Sequence, residues 1–103
     1  MEVIYKILTL NEWEKFQQES IFLGSALDQK DGFIHNAFEH QVSGVLDRFF
    51  KGAGELIRLT VDPQKLEAST LKIEANRPGG DCYPHVYGSL PITAVLQHEK
   101  IWH

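Results

Sequence analysis

The chain has 103 residues and a formal net charge of −4 with histidine counted as neutral. This length favours a single domain, which we expect to span residues 3–102. The net negative charge argues against bulk nucleic-acid binding, because such binding depends on Lys and Arg side chains that release counterions from phosphates. A local cationic pocket for one phosphate group stays compatible with this composition.

Cys82 is the single cysteine, so an internal disulfide is excluded. The first ten residues lack the basic region of a secretory signal peptide, and no apolar run is long enough to span a bilayer. We therefore expect a cytoplasmic protein without a membrane partner.

The first elements of the chain alternate between strand and helix patterns. β-Branched and aromatic residues in 3–9 predict a strand. Asn11 and Glu14 have the spacing of a capping box, which predicts a helix over residues 11–19. Residues 20–32 are rich in glycine and aspartate and are predicted to be mostly loop.

The clearest helical pattern follows a short apolar segment, "GFIH", that predicts a brief strand. Apolar residues recur at the spacing of one helix face, at Val42, Val45, Leu46, Phe49 and Phe50. Gly52 and Gly54 are expected to end this second helix.

The second half of the chain is dominated by strand patterns. Strands are predicted over residues 55–61 and 70–75, in "HVYG", and over residues 92–102, where the strand contains a bend. A helical turn capped by Asp62 is predicted over residues 63–66. Residues 76–84 are predicted to form an irregular loop. Two helices in the N-terminal half and strands towards the C-terminus indicate an α+β fold.

The histidines do not have the tight spacing of a zinc motif, so no metal is expected. Cys82 and His85 are three residues apart, and a thiolate beside an imidazole is one arrangement of a nucleophile, but a structural role is favoured. His35 follows an Asp-Gly turn in which Asp31 is expected to bind local backbone N–H groups. On composition alone, a buried and hydrogen-bonded His35 is favoured over a ligand-binding one.

The segment "YPHVYG" places His85 and Tyr87 on one side if it continues as a strand. Their rings and polar ends suit a planar ligand, and core packing is the alternative. Glu74 is expected to face away from Leu71 and Ile73, which is ordinarily a solvated face.

The order of these motifs resembles the family catalogued as domain of unknown function 952. The resemblance rests on "IYKI", a Trp in the following helix, "GSALDQKDGFIH", Gln41, Glu74 and "YPHVYGSLPITAV", and it covers nearly the whole chain.

That family is grouped with the ADP-ribosyltransferase-like fold of split β-sheets and is similar in layout to the RNA 2′-phosphotransferases. The resemblance implies a cleft that binds NAD or a related nucleotide. Lys6, His35, His85 and Tyr87 would bind this cofactor. Glu74 and His35 would be the catalytic residues, with Glu74 stabilising an oxocarbenium-like centre.

The sequence departs from the family pattern next to His35. Asn36 and Ala37 stand where an apolar residue and a serine usually follow, and Asn36 would point to the other face of a regular strand. His35 would form one wall of the cleft, and His85 and Tyr87 another.

Two functions follow as expectations. The first is an ADP-ribosyl-transferring or NAD-processing enzyme, with Lys6 or Arg77 meeting phosphate. The second is a non-catalytic domain that binds or senses a nucleotide or another metabolite. In both, the partner is a small molecule; a structural domain with packed histidines is the remaining alternative.

Overall fold

A computed structural model describes residues 2–66 and 70–103 of the chain. The strands are β1 (Ile4–Leu8), β2 (Ile21–Phe22), β3 (Ile34–His35), β4 (Glu55–Val61), β5 (Leu71–Ala75), β6 (Cys82–Val86), β7 (Leu90–Pro91) and β8 (Val95–Trp102). The helices are α1 (Leu10–Glu19), α2 (Ala26–Asp31) and α3 (Val42–Phe49). Single 3-10 turns occupy Glu39–Gln41, Pro63–Lys65 and Ile92–Ala94.

The strands form small antiparallel sheets. Their orders are β1-β4-β8, β2-β7 and β3-β6-β5. Alternation along β4 divides the core between the two faces of the first sheet. Ile57 and Leu59 pack with Trp13 and Phe16 of α1, whereas Leu56 packs with the apolar side of α3. The first sheet is therefore covered by a helix on each face, as expected for an α+β domain.

The first and third sheets meet at a fork. Tyr5 of β1 and Ala37, two residues beyond β3, exchange backbone hydrogen bonds in both directions, each at 2.8 Å. Past this bridge the two sheets separate, and the edge of β1 faces the end of β3 across a gap. The gap between the two sheets forms the cavity described below.

The predicted strand over residues 3–9 and the predicted helix over 11–19 are confirmed, with a correction at the start of α1. Its N-cap is Thr9, which accepts a hydrogen bond from the Glu12 backbone, while Glu12 returns one to the backbone of Thr9. The predicted box at Asn11 and Glu14 was wrong by two residues. Trp13 and Phe16 are the buried residues of this helix.

The predicted loop over residues 20–32 was wrong in part, because it contains β2 and α2. Ser25 and Asp28 form a reciprocal capping box at the start of α2, and Gly32 ends it in the left-handed conformation, with φ 85°. The helix adds a third helix to the N-terminal half, where two were predicted.

The predicted loop over residues 76–84 was also too long, since β6 begins at Cys82. Pro84 lies in this central strand, where a residue without an N–H is usually excluded. It is tolerated because β3 ends at His35: the carbonyl of Pro84 accepts from Asn36 at 3.1 Å, and no further ladder bond is required there.

Most of the remaining predictions agree with the structure, although β6 ends at Val86, two residues before the end of the predicted strand "HVYG", and residues 92–94 form a 3-10 turn. Residues 55–61 form β4, Asp62 caps the 3-10 turn Pro63–Lys65, and the last segment bends before β8. Across the described ranges, no helix combines the length and apolarity needed to cross a bilayer.

Candidate functional site

A cavity of about 650 Å³ occupies the fork between β1 and β3. We call it the inner compartment; it is lined by β1, the start of α2, the end of β3 and one side of α3. A shallower space of about 320 Å³ continues from it and is lined by Leu27, Asp31, His35, Arg48, Phe49, Asn76, Arg77, Gly80, Asp81 and Tyr83. We call this the outer compartment. Both share His35 and Asn76, so they form one continuous groove.

A buried ion pair between Lys6 and Asp28 fixes the floor of the inner compartment. Lys6 and Asp28 are 6% and 2% exposed, and their Nζ and Oδ2 atoms are 2.8 Å apart. Lys6 also donates to the carbonyl of His35 at 2.8 Å. The Asp28 carboxylate accepts from the backbone N–H groups of Ser25 and His35 at 2.9 and 3.0 Å. The pair therefore ties β1, α2 and β3 together at the fork.

The electrostatics of this pair follow from burial and mutual attraction. Burial would raise the pKa of the Asp28 carboxyl, but Lys6 and the two backbone donors outweigh it and hold that pKa below its usual range. Burial lowers the pKa of the Lys6 ammonium, while the Asp28 charge opposes this effect. Two Lys6 protons already have acceptors, and its charge is neutralised by Asp28.

His35 lines both compartments. Its Nε2 lies 2.7 Å from Oδ2 of Asp31, and both side chains are partly exposed at the groove. A carboxylate can only accept, so Nε2 carries the proton of this bond. Asp31 therefore serves the His35 side chain, in addition to ending α2. His35 is hydrogen-bonded, as composition alone favoured, but it is only partly buried.

The free edge of β1 presents backbone groups to the inner compartment. Tyr5 turns its N–H and carbonyl towards Ala37, away from β4. In an antiparallel ladder the next residue with this orientation is two positions on, which is Ile7. Ile7 lines the cavity, and its N–H and carbonyl have no partner among the described residues. The edge thus offers one donor and one acceptor side by side.

A second polar cluster lies on the exposed face of the β3-β6-β5 sheet. The Glu74 carboxylate accepts from Nδ1 of His85 at 3.0 Å and from the hydroxyl of Tyr87. His85 is only 1% exposed, whereas the Glu74 side chain is 38% exposed. Phe33 stacks on the His85 ring with centroids 3.9 Å apart. The expected common side for His85 and Tyr87 is confirmed.

Hydrogen bonds set the charge states in this cluster. The Tyr87 hydroxyl, with a smaller contribution from His85, lowers the pKa of the Glu74 carboxyl. The same bond raises the pKa of Tyr87, because the neutral phenol is the donor. Nε2 of His85 lies 2.7 Å from Oδ1 of Asn76. His85 therefore links the Glu74 carboxylate to a residue of the groove.

The structure brings the predicted site residues together only in part. Lys6 and His35 line the inner compartment, but Glu74, His85 and Tyr87 do not line either compartment. His35 and His85 are direct cross-strand partners with ring centroids 5.7 Å apart. They therefore share one face of one sheet, and the two walls expected from the sequence are a single wall.

Asn36 was expected to point away from the site, yet it lines the inner compartment because β3 ends one residue earlier. Its Nδ2 donates to the carbonyl of Ile34 at 3.1 Å, whereas its buried Oδ1 has no partner in the described part of the chain. Sequence reasoning also missed Asn76 and Arg48. No local sequence pattern distinguishes these two residues, because they line one groove only in the folded chain.

The other candidates considered from the sequence are not assembled into sites. Cys82 is exposed and His85 is buried, and residues three apart on a strand face opposite sides. This geometry agrees with the structural reading of that pair. Within residues 2–66 and 70–103, no three His, Cys, Asp or Glu side chains form a group suited to a metal ion.

Comparison with known proteins identifies relatives of the same fold. The crystal structure of protein CC0527 from Caulobacter crescentus is 36% identical, with a TM-score of 0.87 over 95% of this chain and 84% of that one. The solution NMR structure of CC0527 is 37% identical, with a TM-score of 0.84 over 96% of this chain and 84% of that one. No curated protein matches the chain. The family model described as "Protein of unknown function (DUF952)" matches residues 7–98, and the chain therefore belongs to this family.

Proposed function

We propose that the protein binds a nucleotide of the NAD type in the groove at the fork, and that it does so without using Glu74 as a catalytic group. The observation that carries this proposal is the free edge of β1 inside the inner compartment. A carboxamide presents one acceptor and two donors, so it can pair with the N–H and the carbonyl of Ile7 at the same time. NAD carries such a group on its nicotinamide ring.

The walls of the groove support the same ligand class. The inner compartment lies in the size range of small-molecule sites, which are mostly apolar with a few polar groups. Aromatic side chains that line it are Tyr5, Phe49, Phe50 and Tyr83. Planar rings stack on such surfaces, and the edge at Ile7 supplies the directional contacts.

The ADP-ribosyltransferase-like layout is part of this proposal. It is supported by the fork between the β1-β4-β8 and β3-β6-β5 sheets, joined at the bridge of Tyr5 and Ala37. A split between two small sheets leaves backbone edges free inside the protein, and a ligand can pair with these edges. The fold does not determine function, so the argument depends on the groove itself.

Binding is tested by thermal unfolding with NAD and with ADP-ribose, which lacks the carboxamide. A ligand that binds only the folded protein stabilises it by about 2.7 kcal/mol at a hundred times its Kd. We expect NAD to raise the melting temperature more than ADP-ribose at equal concentration. Equal or absent shifts for both compounds would contradict the proposed pairing at Ile7.

A matched pair of variants on α3 localises the site. Gly44 lines the inner compartment, and a Cβ added there meets no atom within 4 Å, so Gly44→Phe can enter the cavity without displacing the core. Ser43→Phe adds the same ring to the exposed neighbour outside the groove. NAD should stabilise wild type and Ser43→Phe but not Gly44→Phe. Full stabilisation of Gly44→Phe would place NAD elsewhere.

The second candidate is an NAD-processing enzyme, and the state of Glu74 is what favours it. Hydrogen bonds from Tyr87 and His85 keep this carboxylate ionised, on the same sheet face as His35. An ionised carboxylate stabilises positive charge that develops as a glycosidic bond breaks. Against this candidate, Glu74 does not line the groove, so the substrate would have to extend beyond it.

The two candidates separate in an assay for free nicotinamide during incubation with NAD. Binding without nicotinamide release supports the non-catalytic function. Release that falls in Glu74→Gln when NAD is saturating supports the enzyme. Release that is insensitive to Glu74→Gln and to His35→Ala would exclude the catalytic roles inferred from the family resemblance.

A further inference from the structure

We propose that the outer compartment is a phosphate subsite, in which Asn76 is a positioned donor and Arg77 and Arg48 supply positive charge. The inference rests on the proposed nucleotide function and assigns one part of the groove to one part of the ligand. The carboxamide end occupies the edge at Ile7, and the phosphate lies nearer to solvent. Neither Asn76 nor Arg48 was among the residues expected to bind a ligand.

Arg77 is held at this compartment by a tight turn. The N–H of Gly80 donates to the carbonyl of Arg77 at 3.0 Å, with Pro78 and Gly79 between them. Gly79 has φ 76°, so the sequence Pro-Gly at the centre has the pattern of a type II turn. A Cβ on Gly80 would lie 3.1 Å from Cγ of Arg77. The side chain of Arg77 therefore lies directly across Gly80.

Asn76 is oriented from behind by the Glu74 cluster. Because Glu74 only accepts, Nδ1 of His85 donates to it. In the imidazolium form of His85, both ring nitrogens are donors, and Nε2 then donates to Oδ1 of Asn76. The amide nitrogen of Asn76 is in that form the end left for the groove. This nitrogen has no partner among the described residues. In this arrangement Glu74, His85 and Tyr87 act as positioning residues for a ligand contact that they do not make.

The charges around the outer compartment favour an anion near Asn76 and Arg77. Arg48 and Arg77 have no carboxylate partner within the described ranges. Two acidic residues also line the compartment: Asp31 is paired with His35, whereas Asp81 is exposed and has no ion pair in the described ranges. The two arginines therefore outnumber the one unpaired carboxylate. Lys6 is a weaker candidate for phosphate than the sequence suggested, because Asp28 already neutralises it.

The probes are nicotinamide mononucleotide and nicotinamide riboside, which share the carboxamide and differ by one phosphate. Their dissociation constants are measured by calorimetry with the wild-type protein. We expect the mononucleotide to bind about tenfold more tightly, since hydrogen bonds to a charged group are the stronger ones. Arg77→Gln and Asn76→Ala should each reduce this ratio to about threefold or less, with little change for the riboside.

Three further variants separate positioning from general charge. Gly80→Ala should lower the ratio by displacing the Arg77 side chain, and Glu74→Gln should lower it by loosening Asn76. Lys51→Gln removes a positive charge from an exposed residue outside both compartments and should leave the ratio unchanged. A drop of the same size in Lys51→Gln would show a diffuse charge effect and would overturn the subsite.

The outcomes also distinguish the subsite from the proposed function. If both compounds bind the wild-type protein with equal affinity, the subsite is wrong and binding at Ile7 stands. If neither compound binds, both proposals fail. If the ratio is large but insensitive to Arg77→Gln and Asn76→Ala, the phosphate lies elsewhere and the subsite is again overturned.

Discussion

Two polar clusters flank the fork, and they differ in how completely they are buried. The Lys6–Asp28 pair is almost fully buried, and backbone donors complete its carboxylate. The Glu74–His85–Tyr87 cluster encloses a buried imidazole, but its carboxylate reaches solvent. The sequence suggested ligand-binding roles for residues of both clusters. The comparison shows that the Lys6–Asp28 pair joins β1, α2 and β3. The Glu74–His85–Tyr87 cluster instead contacts Asn76, a residue that lines the groove.

The largest effect is expected from breaking the buried pair. Asp28→Ala leaves the buried Lys6 ammonium without its counter-ion and two backbone donors without an acceptor, which should cost about 3–5 kcal/mol of unfolding free energy. Urea denaturation measures it. The double variant Lys6→Met/Asp28→Leu should recover part of this loss, because no charge is left buried. A loss below about 1 kcal/mol in Asp28→Ala would contradict the structural role of the pair.

A smaller loss is expected in the second cluster. His85→Phe keeps a ring against Phe33 but removes the bonds to Glu74 and Asn76, whose side chains reach water and can be rehydrated. The expected cost is about 1–2 kcal/mol, measured by the same denaturation. A cost equal to that of Asp28→Ala would remove the distinction between the two clusters.

The clusters should also differ in their response to pH. Asp28 and Glu74 both have lowered pKa values, so each contributes stability above its unfolded pKa that is lost as pH falls through the folded pKa. Tyr87 has a raised pKa, so its contribution is present below its unfolded pKa and is lost as pH rises through the folded one. Among Asp28, Glu74 and Tyr87, only Tyr87 therefore loses its stabilising contribution as the pH rises, and Tyr87 belongs to the second cluster.

This assignment is checked by following the ionisation of Tyr87 with NMR. The pKa of Tyr87 should fall towards its usual value in Glu74→Gln, because the charged carboxylate that accepts the hydrogen bond of the phenol is removed. Asp28→Asn serves as the comparison and should leave it unchanged. A Tyr87 pKa that does not respond to Glu74→Gln would contradict the hydrogen bond between these side chains.

The smallest effect is expected at the mouth of the groove. The Asp31–His35 contact is partly exposed, and exposed ion pairs contribute at most about 1 kcal/mol. Asp31→Asn should therefore leave the free energy of unfolding nearly unchanged in urea denaturation. A large loss would mean that this contact supports the fork as the buried pair does.

Periodicity predicted the elements that have a regular buried face, which include β1, α1, α3 and β4. It missed α2, although Ser25, Asp28 and Gly32 carry cap signals, because a helix of one and a half turns has little apolar pattern. The strand predicted in "HVYG" also began three residues too late, because Pro84 normally argues against a central strand.

The candidate site was predictable where alternation within one strand decides the geometry, as for His85 and Tyr87. It was not predictable where the fold joins distant segments. Lys6 and Asp28 are 22 residues apart, and no local feature indicates their pairing. The same holds for Arg48 and Asn76, which meet only because α3 and the end of β5 border one groove.

The central claim is that a nucleotide of the NAD type pairs with the free edge of β1. The most direct measurement is an NMR titration of the 15N-labelled protein with NAD, observing each backbone amide. We predict that the amide of Ile7 is among those with the largest chemical-shift changes, together with residues lining the groove, such as Val45. Saturation without a change at Ile7, or with the largest changes on the distant strand β8, would contradict the account.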